Sequence, residues 1–273
     1  MEIQEDSSPV AKSTNNANVR QSYIVTCRLF GIFPVKDIEV VLVDGDAVYA
    51  GGMPIGIYVK TRGVLVIGTS EVERPDGSEA APAENILKAG DYILSVNGEK
   101  VAEKEDLQRL VQQNGAEKEI LKINRKGEEV EVGVTPVQNK NGTYMLGAWV
   151  RDDLAGIGTL TYYKEDGTYG ALGHAVSDGD VGERIQMREG YVYNAQIIGV
   201  KKGQKGNPGE LSGMIRYQSA DCLGTIEENT DIGIYGKLDG NIAALPRGDY
   251  YNICYKQDIK QGPATIICGF TGE

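Results

Sequence analysis

The chain has 273 residues, of which 41% are hydrophobic and 25% are charged, a balance typical of globular proteins. Its mass of 29.5 kDa is enough for two domains that each bury a core. The net charge of −11 argues against general nucleic-acid binding, because no basic excess is present to meet phosphates. There is also no apolar run of roughly 18 residues, so we predict no membrane-spanning helix.

The first 50 residues divide into two parts. Residues 1–19 are polar and lack the apolar core of a signal peptide, so we predict a disordered lead-in. Residues 20–50 hold two stretches of alternating polarity, 22–30 and 35–43, which are separated by the sequence GIFP at 31–34. They predict a β-hairpin module that is too small to be stable by itself.

Residues 51–137 alternate strand and helix signals. Apolar strands are predicted at 54–59 and 64–67, and a short helix at 81–87 with Pro82 in its first turn. The sequence AGDYILSVNG at 89–98 predicts a strand that ends in an Asn-Gly turn. The remaining predicted elements are a helix at 104–113 with Gly115 just past its end, and a hairpin over 119–134 that turns at Lys126-Gly127.

This order of elements resembles a bacterial PDZ domain, and AGDYILSVNG is the most specific piece of the resemblance. In PDZ domains an apolar-Gly-apolar loop binds a peptide's C-terminal carboxylate, and the next strand pairs with the peptide. The resemblance implies peptide or protein C-termini as partners. The alternative for the helix residues is that they only pack the helix on the sheet. The implied peptide-binding residues are Ile55, Gly56, Ile57, Tyr58, Val59, Leu107, Leu110 and Val111.

From residue 142 to the end, short strand signals recur at a spacing typical of a barrel or sandwich. A hairpin is predicted across the turn KEDG at 164–167, and His174 follows its second strand. His174 is the only histidine of the chain, and histidine is the side chain that exchanges protons near neutral pH. Any acid–base chemistry by imidazole must therefore use His174, whereas the alternative is a histidine that merely caps a strand.

Several sequence blocks occur in an order that resembles the stage IV sporulation protein B family, the SpoIVB peptidases. They are LFGIFPVK at 29–36, RDDLAGIGTL at 151–160, YGALGH at 169–174, KGNPGE at 205–210 and LGTIEENT at 223–230. The resemblance implies a mainly β protein with small α content: a hairpin module, a PDZ domain with two helices at 51–137, and a chymotrypsin-like peptidase barrel at 142–273.

The same resemblance implies a function. The family consists of serine endopeptidases that cleave themselves and a membrane-associated regulatory partner, which leads to processing of a sigma-factor precursor. They act in the space between forespore and mother cell and need no cofactor. His174 matches the family's catalytic histidine, which takes the proton from a serine hydroxyl as general base.

The family's catalytic aspartate and serine follow the last block seen here. The resemblance therefore implies that residues 142–273 are an incomplete barrel, inactive alone, whose strands from about residue 233 expose unpaired edges. Ser212, which precedes a glycine, is a weak candidate for a substitute nucleophile. Asp178 and Asp180 lie close enough in sequence to touch His174, but such carboxylates usually lie solvated in a turn.

No metal is predicted, because Asp178, Asp180 and Glu183 offer too few ligands at irregular spacing for a calcium loop. The cysteines lack a Cys-x-x-Cys pair and are predicted to be free thiols: Cys27, Cys222, Cys254 and Cys268. A second hypothesis for the whole chain remains open. In it the PDZ domain binds partner C-termini as a non-catalytic scaffold and the β-rich region after it is passive.

Overall fold

The structure, a computed structural model, describes residues 19–30, 32–43, 45–239 and 249–268. These residues form two compact units. One unit runs up to Tyr49 and includes Asp249–Thr265, and the other runs from Ala50 and includes Ile266 and the residues after it.

The described residues are mainly β, as the sequence predicts. The strands up to the helix are β1 (Val19–Leu29), β2 (Phe33–Val43), β3 (Ala47–Ala50), β4 (Pro54–Thr69), β5 (Val72–Glu73), β6 (Glu79–Ala80), β7 (Tyr92–Val96) and β8 (Glu99–Lys100), followed by α1 (Lys104–Asn114). The later strands are β9 (Glu119–Arg125), β10 (Glu128–Val134), β11 (Val137–Gln138), β12 (Tyr144–Met145), β13 (Ala148–Thr159), β14 (Tyr162–Tyr163), β15 (Thr168–Leu172), β16 (Met187–Lys201), β17 (Glu210–Ile215), β18 (Cys222–Thr230), β19 (Gly233–Leu238) and β20 (Tyr250–Asn252), with 3-10 turns at Ser219–Asp221 and Lys256–Asp258.

In the first unit, β1 and β2 pair antiparallel as a separate two-stranded sheet, which confirms the predicted hairpin. The register shifts by one residue between Cys27 and Arg28, where a bulge bends the ribbon. β20 pairs antiparallel with β3, and the rings of Tyr49 and Tyr250 lie 4.9 Å apart.

The second unit is organised around β4, a single 16-residue strand where the sequence predicts two. One half of β4 pairs with β7 and extends the sheet to β9 and β10, while the other half pairs with β16 and extends it to β18, β19 and β15. β13 runs along the other edge of β4. The strands do not close into a barrel within the described residues. Because both halves share β4, the proposed boundary between residues 137 and 142 stays a prediction.

A core cluster lies beside α1, whose buried residues Leu107, Leu110 and Val111 pack with aliphatic residues of β4, β7 and β9. The helix begins after Glu103, whose N–H donates to the Asp106 carboxylate at 3.3 Å, and ends at Gly115 with φ of 66°. Only glycine adopts that left-handed conformation without strain, which explains the predicted stop.

Two expectations about these elements are wrong. The predicted helix at 81–87 is a run of turns, and Asn85 has a left-handed φ of 60° that a helix does not accommodate. The PDZ region therefore has one α-helix among its described residues instead of two. The expectation of unpaired edges from about residue 233 is wrong for β19, which pairs with β15 on one side and β18 on the other, whereas among the described residues β20 pairs with β3 alone.

Candidate active site and peptide groove

His174 lies two residues after β15 with its side chain exposed. The preceding Gly173 N–H donates to the Ile232 carbonyl at 3.0 Å, which fastens this end of the hairpin to the turn before β19. The imidazole borders a cleft of about 240 Å³ that is also lined by β13 residues and by Ile57 and Ile234. The lone histidine is therefore accessible at a concave surface.

The hydrogen bond of His174 determines its tautomer. Nδ1 lies 2.7 Å from the carbonyl oxygen of Ala175. A carbonyl oxygen only accepts hydrogen bonds, so Nδ1 carries a proton, and in the neutral ring the free lone pair is therefore on Nε2. Within the described residues nothing bonds to Nε2, and a neutral imidazole in this state is able to accept a proton.

Asn229, at the end of β18, is a site residue that the sequence analysis missed. Its Oδ1 accepts the Val176 N–H at 2.8 Å, and its Nδ2 donates to the carbonyls of Val176 at 2.9 Å and Ile185 at 3.4 Å. The sequence block LGTIEENT contains this asparagine, so the block itself was the available signal. Nothing in its spacing shows that it contacts a loop 53 residues earlier.

Asp178 is buried and does not behave as a solvated turn carboxylate, so that expectation is wrong. It accepts a hydrogen bond from Arg151 Nη1 and from the N–H groups of Asp180 and Val181 at 2.8 and 3.0 Å. Arg151 also reaches the Asp180 carboxylate at 3.2 Å. In the described part of the chain neither aspartate bonds to His174, and no group of three or more acidic, histidine or cysteine side chains could hold a metal ion.

Other residues singled out by the sequence lie elsewhere. Ser212 is an exposed residue of β17 that pairs with Gly199, and no hydrogen bond joins it to His174 among the described residues. The hydroxyl closest in sequence to the imidazole is that of Ser177, which donates to the Ala175 carbonyl at 3.4 Å. None of the four cysteines forms a disulfide.

The implied peptide-binding strand, Ile55 to Val59, is paired on both edges. Ile57 pairs with Val192 of β16 on one side and with Gly156 of β13 on the other. A peptide adds to a sheet only at a free edge, so the predicted β-augmentation at this strand is wrong. β13 of the chain itself takes the hydrogen-bonding positions that the peptide was expected to use.

β13 is further fixed by polar contacts to both neighbours. The Asp152 carboxylate accepts hydrogen bonds from the N–H and Nζ of Lys104, at 2.9 and 3.1 Å, at the start of α1. The Tyr58 hydroxyl donates to Asp153 at 2.9 Å. Burial, followed by that bond, raises the pKa of Tyr58 well above its usual range.

The three helix residues do pack the helix on the sheet, since Leu107, Leu110 and Val111 are all at least 95% buried. Leu107 and Val111 also border an apolar cleft of about 600 Å³ between α1 and residues 143–150. This cleft is a concave surface beside the helix that a ligand could enter.

Two family models match parts of the chain. Residues 142–273 match the family model SpoIVB peptidase S55. Residues 75–125 match the PDZ domain family, so the two matches correspond to the two domains that the sequence blocks indicate. No curated protein matches the chain.

The SpoIVB match supports a peptidase, and hence a hydrolase, and the PDZ match supports binding of a peptide or protein. In the described residues α1, with 11 residues, is the only α-helix, and no helix there has the length and apolar character of a membrane span.

Proposed function

We propose that this SpoIVB-type chain serves sporulation signalling as a serine endopeptidase, with His174 as its general base. The observation that carries the proposal is the bond from Nδ1 to the Ala175 carbonyl, which makes Nε2 the proton acceptor of the neutral ring at an open cleft. That state is the one in which imidazole takes a proton from a serine hydroxyl.

Three of the family-like blocks meet in the loop that begins at His174, which supports the proposal. Arg151 from the block at 151–160 holds this loop through Asp178, and Asn229 from the block at 223–230 holds Val176. The remaining block ends in His174 itself. Three blocks that converge on the loop next to one exposed imidazole are better explained by a catalytic role than by a strand cap.

By resemblance to the family, the proposed substrates are the protein itself and a membrane-associated regulatory partner in the space between forespore and mother cell. Cleavage of the partner would lead to processing of a sigma-factor precursor. The PDZ domain would supply the peptide- or protein-binding function.

The test is cleavage of the protein itself and of casein by the longest product of the gene. His174→Ala should lower the rate by roughly 10²–10⁴-fold or more, the range for loss of a general base. Ser212→Ala is the matched control and should leave the rate unchanged. Activity that survives His174→Ala would refute the role of His174.

The 273-residue chain alone should be inactive, because no serine hydroxyl bonds to His174 within its described residues. Time-resolved cleavage by this purified chain that disappears on Ser212→Ala would overturn that expectation and make Ser212 the nucleophile.

The second candidate function is a non-catalytic scaffold, and the apolar cleft between α1 and residues 143–150 favours it. A peptide that binds there should shift the NMR signals of Gln108 and Gln112, which line the cleft, and leave the fully paired β4 strand unaffected. The scaffold hypothesis becomes the better one if such binding occurs and the longest gene product cleaves nothing.

A further inference from the structure

The peptide unit that joins Ala175 to Val176 is hydrogen-bonded at both ends. Its carbonyl oxygen accepts the Nδ1 proton of His174 at 2.7 Å, and its N–H donates to Oδ1 of Asn229 at 2.8 Å. In a planar trans peptide the C=O and N–H groups point in opposite directions. The two bonds therefore form one chain from the asparagine amide, through the peptide unit, to the imidazole.

The orientation of the Asn229 amide follows from its partners. Its Nδ2 faces the carbonyl oxygens of Val176 and Ile185, which only accept hydrogen bonds. Oδ1 must therefore face the Val176 N–H. In the flipped amide, Oδ1 would face the two carbonyl oxygens and Nδ2 would face the Val176 N–H, so no hydrogen bond would form. Ile185 N–H adds a bond to the Val176 carbonyl at 3.1 Å. Both polar groups of Val176 are thus fixed by Asn229 of β18, and its carbonyl is held in addition by Ile185 from the same connection between β15 and β16.

We infer that Asn229 is a positioning residue for His174. By holding the peptide unit between Ala175 and Val176, it keeps the Ala175 carbonyl directed at Nδ1, so that the proton stays on Nδ1 and Nε2 stays a proton acceptor. This inference rests on the proposed function, because only a catalytic imidazole needs a fixed tautomer.

In serine peptidases a carboxylate usually holds the histidine tautomer. Here the carboxylate nearest in sequence, Asp178, is taken up by Arg151 and two backbone N–H groups. Within the described residues, the asparagine and the peptide unit hold the ring without any charge. Hydrogen bonds in such a chain polarise and strengthen one another.

The test reads the tautomer directly in the 273-residue chain. His174 is the only histidine, so ¹⁵N NMR of labelled imidazole reports this ring alone. In the neutral state of the wild-type ring the form protonated at Nδ1 should predominate. Asn229→Leu, similar in size but without hydrogen-bonding groups, should shift the ratio about fivefold toward the form protonated at Nε2, the effect of one net hydrogen bond.

Asn194→Leu is the matched control, since it removes a half-buried amide that bonds to Asp221 in the same sheet. It should leave the tautomer ratio unchanged. Asn229→Asp tests the acceptor and the donor of the amide separately. Its carboxylate still accepts the Val176 N–H, but its second oxygen faces the carbonyl oxygens of Val176 and Ile185 and repels them. It should keep the Nδ1-protonated form and lower the melting temperature.

A wild-type ring protonated mainly at Nε2 would overturn the inference, as would a folded Asn229→Leu variant with an unchanged ratio. If Asn229→Leu does not fold, the spectra of the wild-type protein and of Asn229→Asp still decide. Protonation of His174 mainly at Nε2 in Asn229→Asp would contradict the role of the side-chain oxygen that accepts the Val176 N–H. If the His174 ring is protonated at Nδ1 but proteolysis by the protein does not need His174, the proposed function is refuted and this inference is supported.

Discussion

The two sides of β4 in the second unit are held together by different interactions. On the PDZ side, one continuous cluster of buried aliphatic residues joins β4, β7, β9 and α1. Around His174 the loop is held by the Asn229 amide and by the ion pair of Arg151 with Asp178, and the largest buried side chains nearby are Tyr163 and Tyr169. The first region is stabilised mainly by burial of apolar surface, and the second depends on particular polar partners.

The largest expected effect tests the cluster of buried aliphatic residues on the PDZ side of β4. Leu121→Ala removes a fully buried side chain from β9 and should lower the free energy of unfolding by about 3 kcal/mol, because it combines lost burial with a cavity. Urea unfolding measures this loss. Ile120→Ala, the neighbour that is 40% exposed, is the control and should cost less than about 1 kcal/mol. Equal costs at the two positions would show that the cluster is not what holds this region.

The next largest effect tests the ion pair of Arg151 with Asp178 in the region around His174. Asp178→Asn removes the charge that neutralises Arg151 and should cost about 2 kcal/mol, below the value for a fully buried pair because Arg151 is 35% exposed. Asp180→Asn, whose side chain is 58% exposed, should cost about 0.5 kcal/mol. Hydrogen exchange should speed up at the amides of Asp180 and Val181 in the first variant. Unchanged exchange there would mean that Asp178 does not order the loop.

A variant of Tyr169 tests whether the stabilisation of the fold by a buried tyrosine depends on pH. Its hydroxyl donates to the Thr225 carbonyl at 3.1 Å, and burial raises its pKa well above the usual range. A raised pKa means that this hydroxyl stabilises the fold fully below the unfolded value of about 10 and progressively less as the pH rises above it. Tyr169→Phe should therefore cost about 1 kcal/mol at neutral pH.

In urea unfolding, the gap between Tyr169→Phe and wild type should narrow as the pH rises past about 10. Tyr250→Phe, at an exposed position, is the control and should match wild type at neutral pH. A gap that stays constant through the alkaline range would contradict the assigned role of the Tyr169 hydroxyl.

The smallest effect concerns the turn before β15. The Asp166 carboxylate accepts the Thr168 N–H at 2.9 Å and bonds to Lys237 at 3.0 Å, and these contacts lower its pKa to about 2. A lowered pKa stabilises the fold above the unfolded value of about 4, and the contribution disappears as the pH falls to about 2.

Asp166→Asn should cost only about 0.5 kcal/mol at neutral pH, because solvent screens this exposed site, and nothing near pH 2. Thermal unfolding at the two pH values measures the difference. A cost that is as large in acid as at neutral pH would mean that the carboxylate charge is not the cause.

The sequence by itself predicted the parts of the fold that local chemistry controls. The hairpin of β9 and β10 has its predicted bounds, because Lys126 and Gly127 both take the left-handed conformation of a tight turn. The helix signal at 104–113 corresponds to α1, since apolar spacing and Gly115 are local properties. His174 was singled out because the chain has no other imidazole.

Only the tertiary structure decided how distant strands and side chains pair. A strand pattern does not show which edges are filled, so β13 beside Ile57 could not be predicted and the implied peptide groove was misplaced. The proton on Nδ1 of His174 depends on the Ala175 carbonyl, whose peptide unit is held by Asn229 from 53 residues later in the chain. Hydrogen bonds across such separations form only when the fold brings both partners together, so no local pattern in the sequence encodes them.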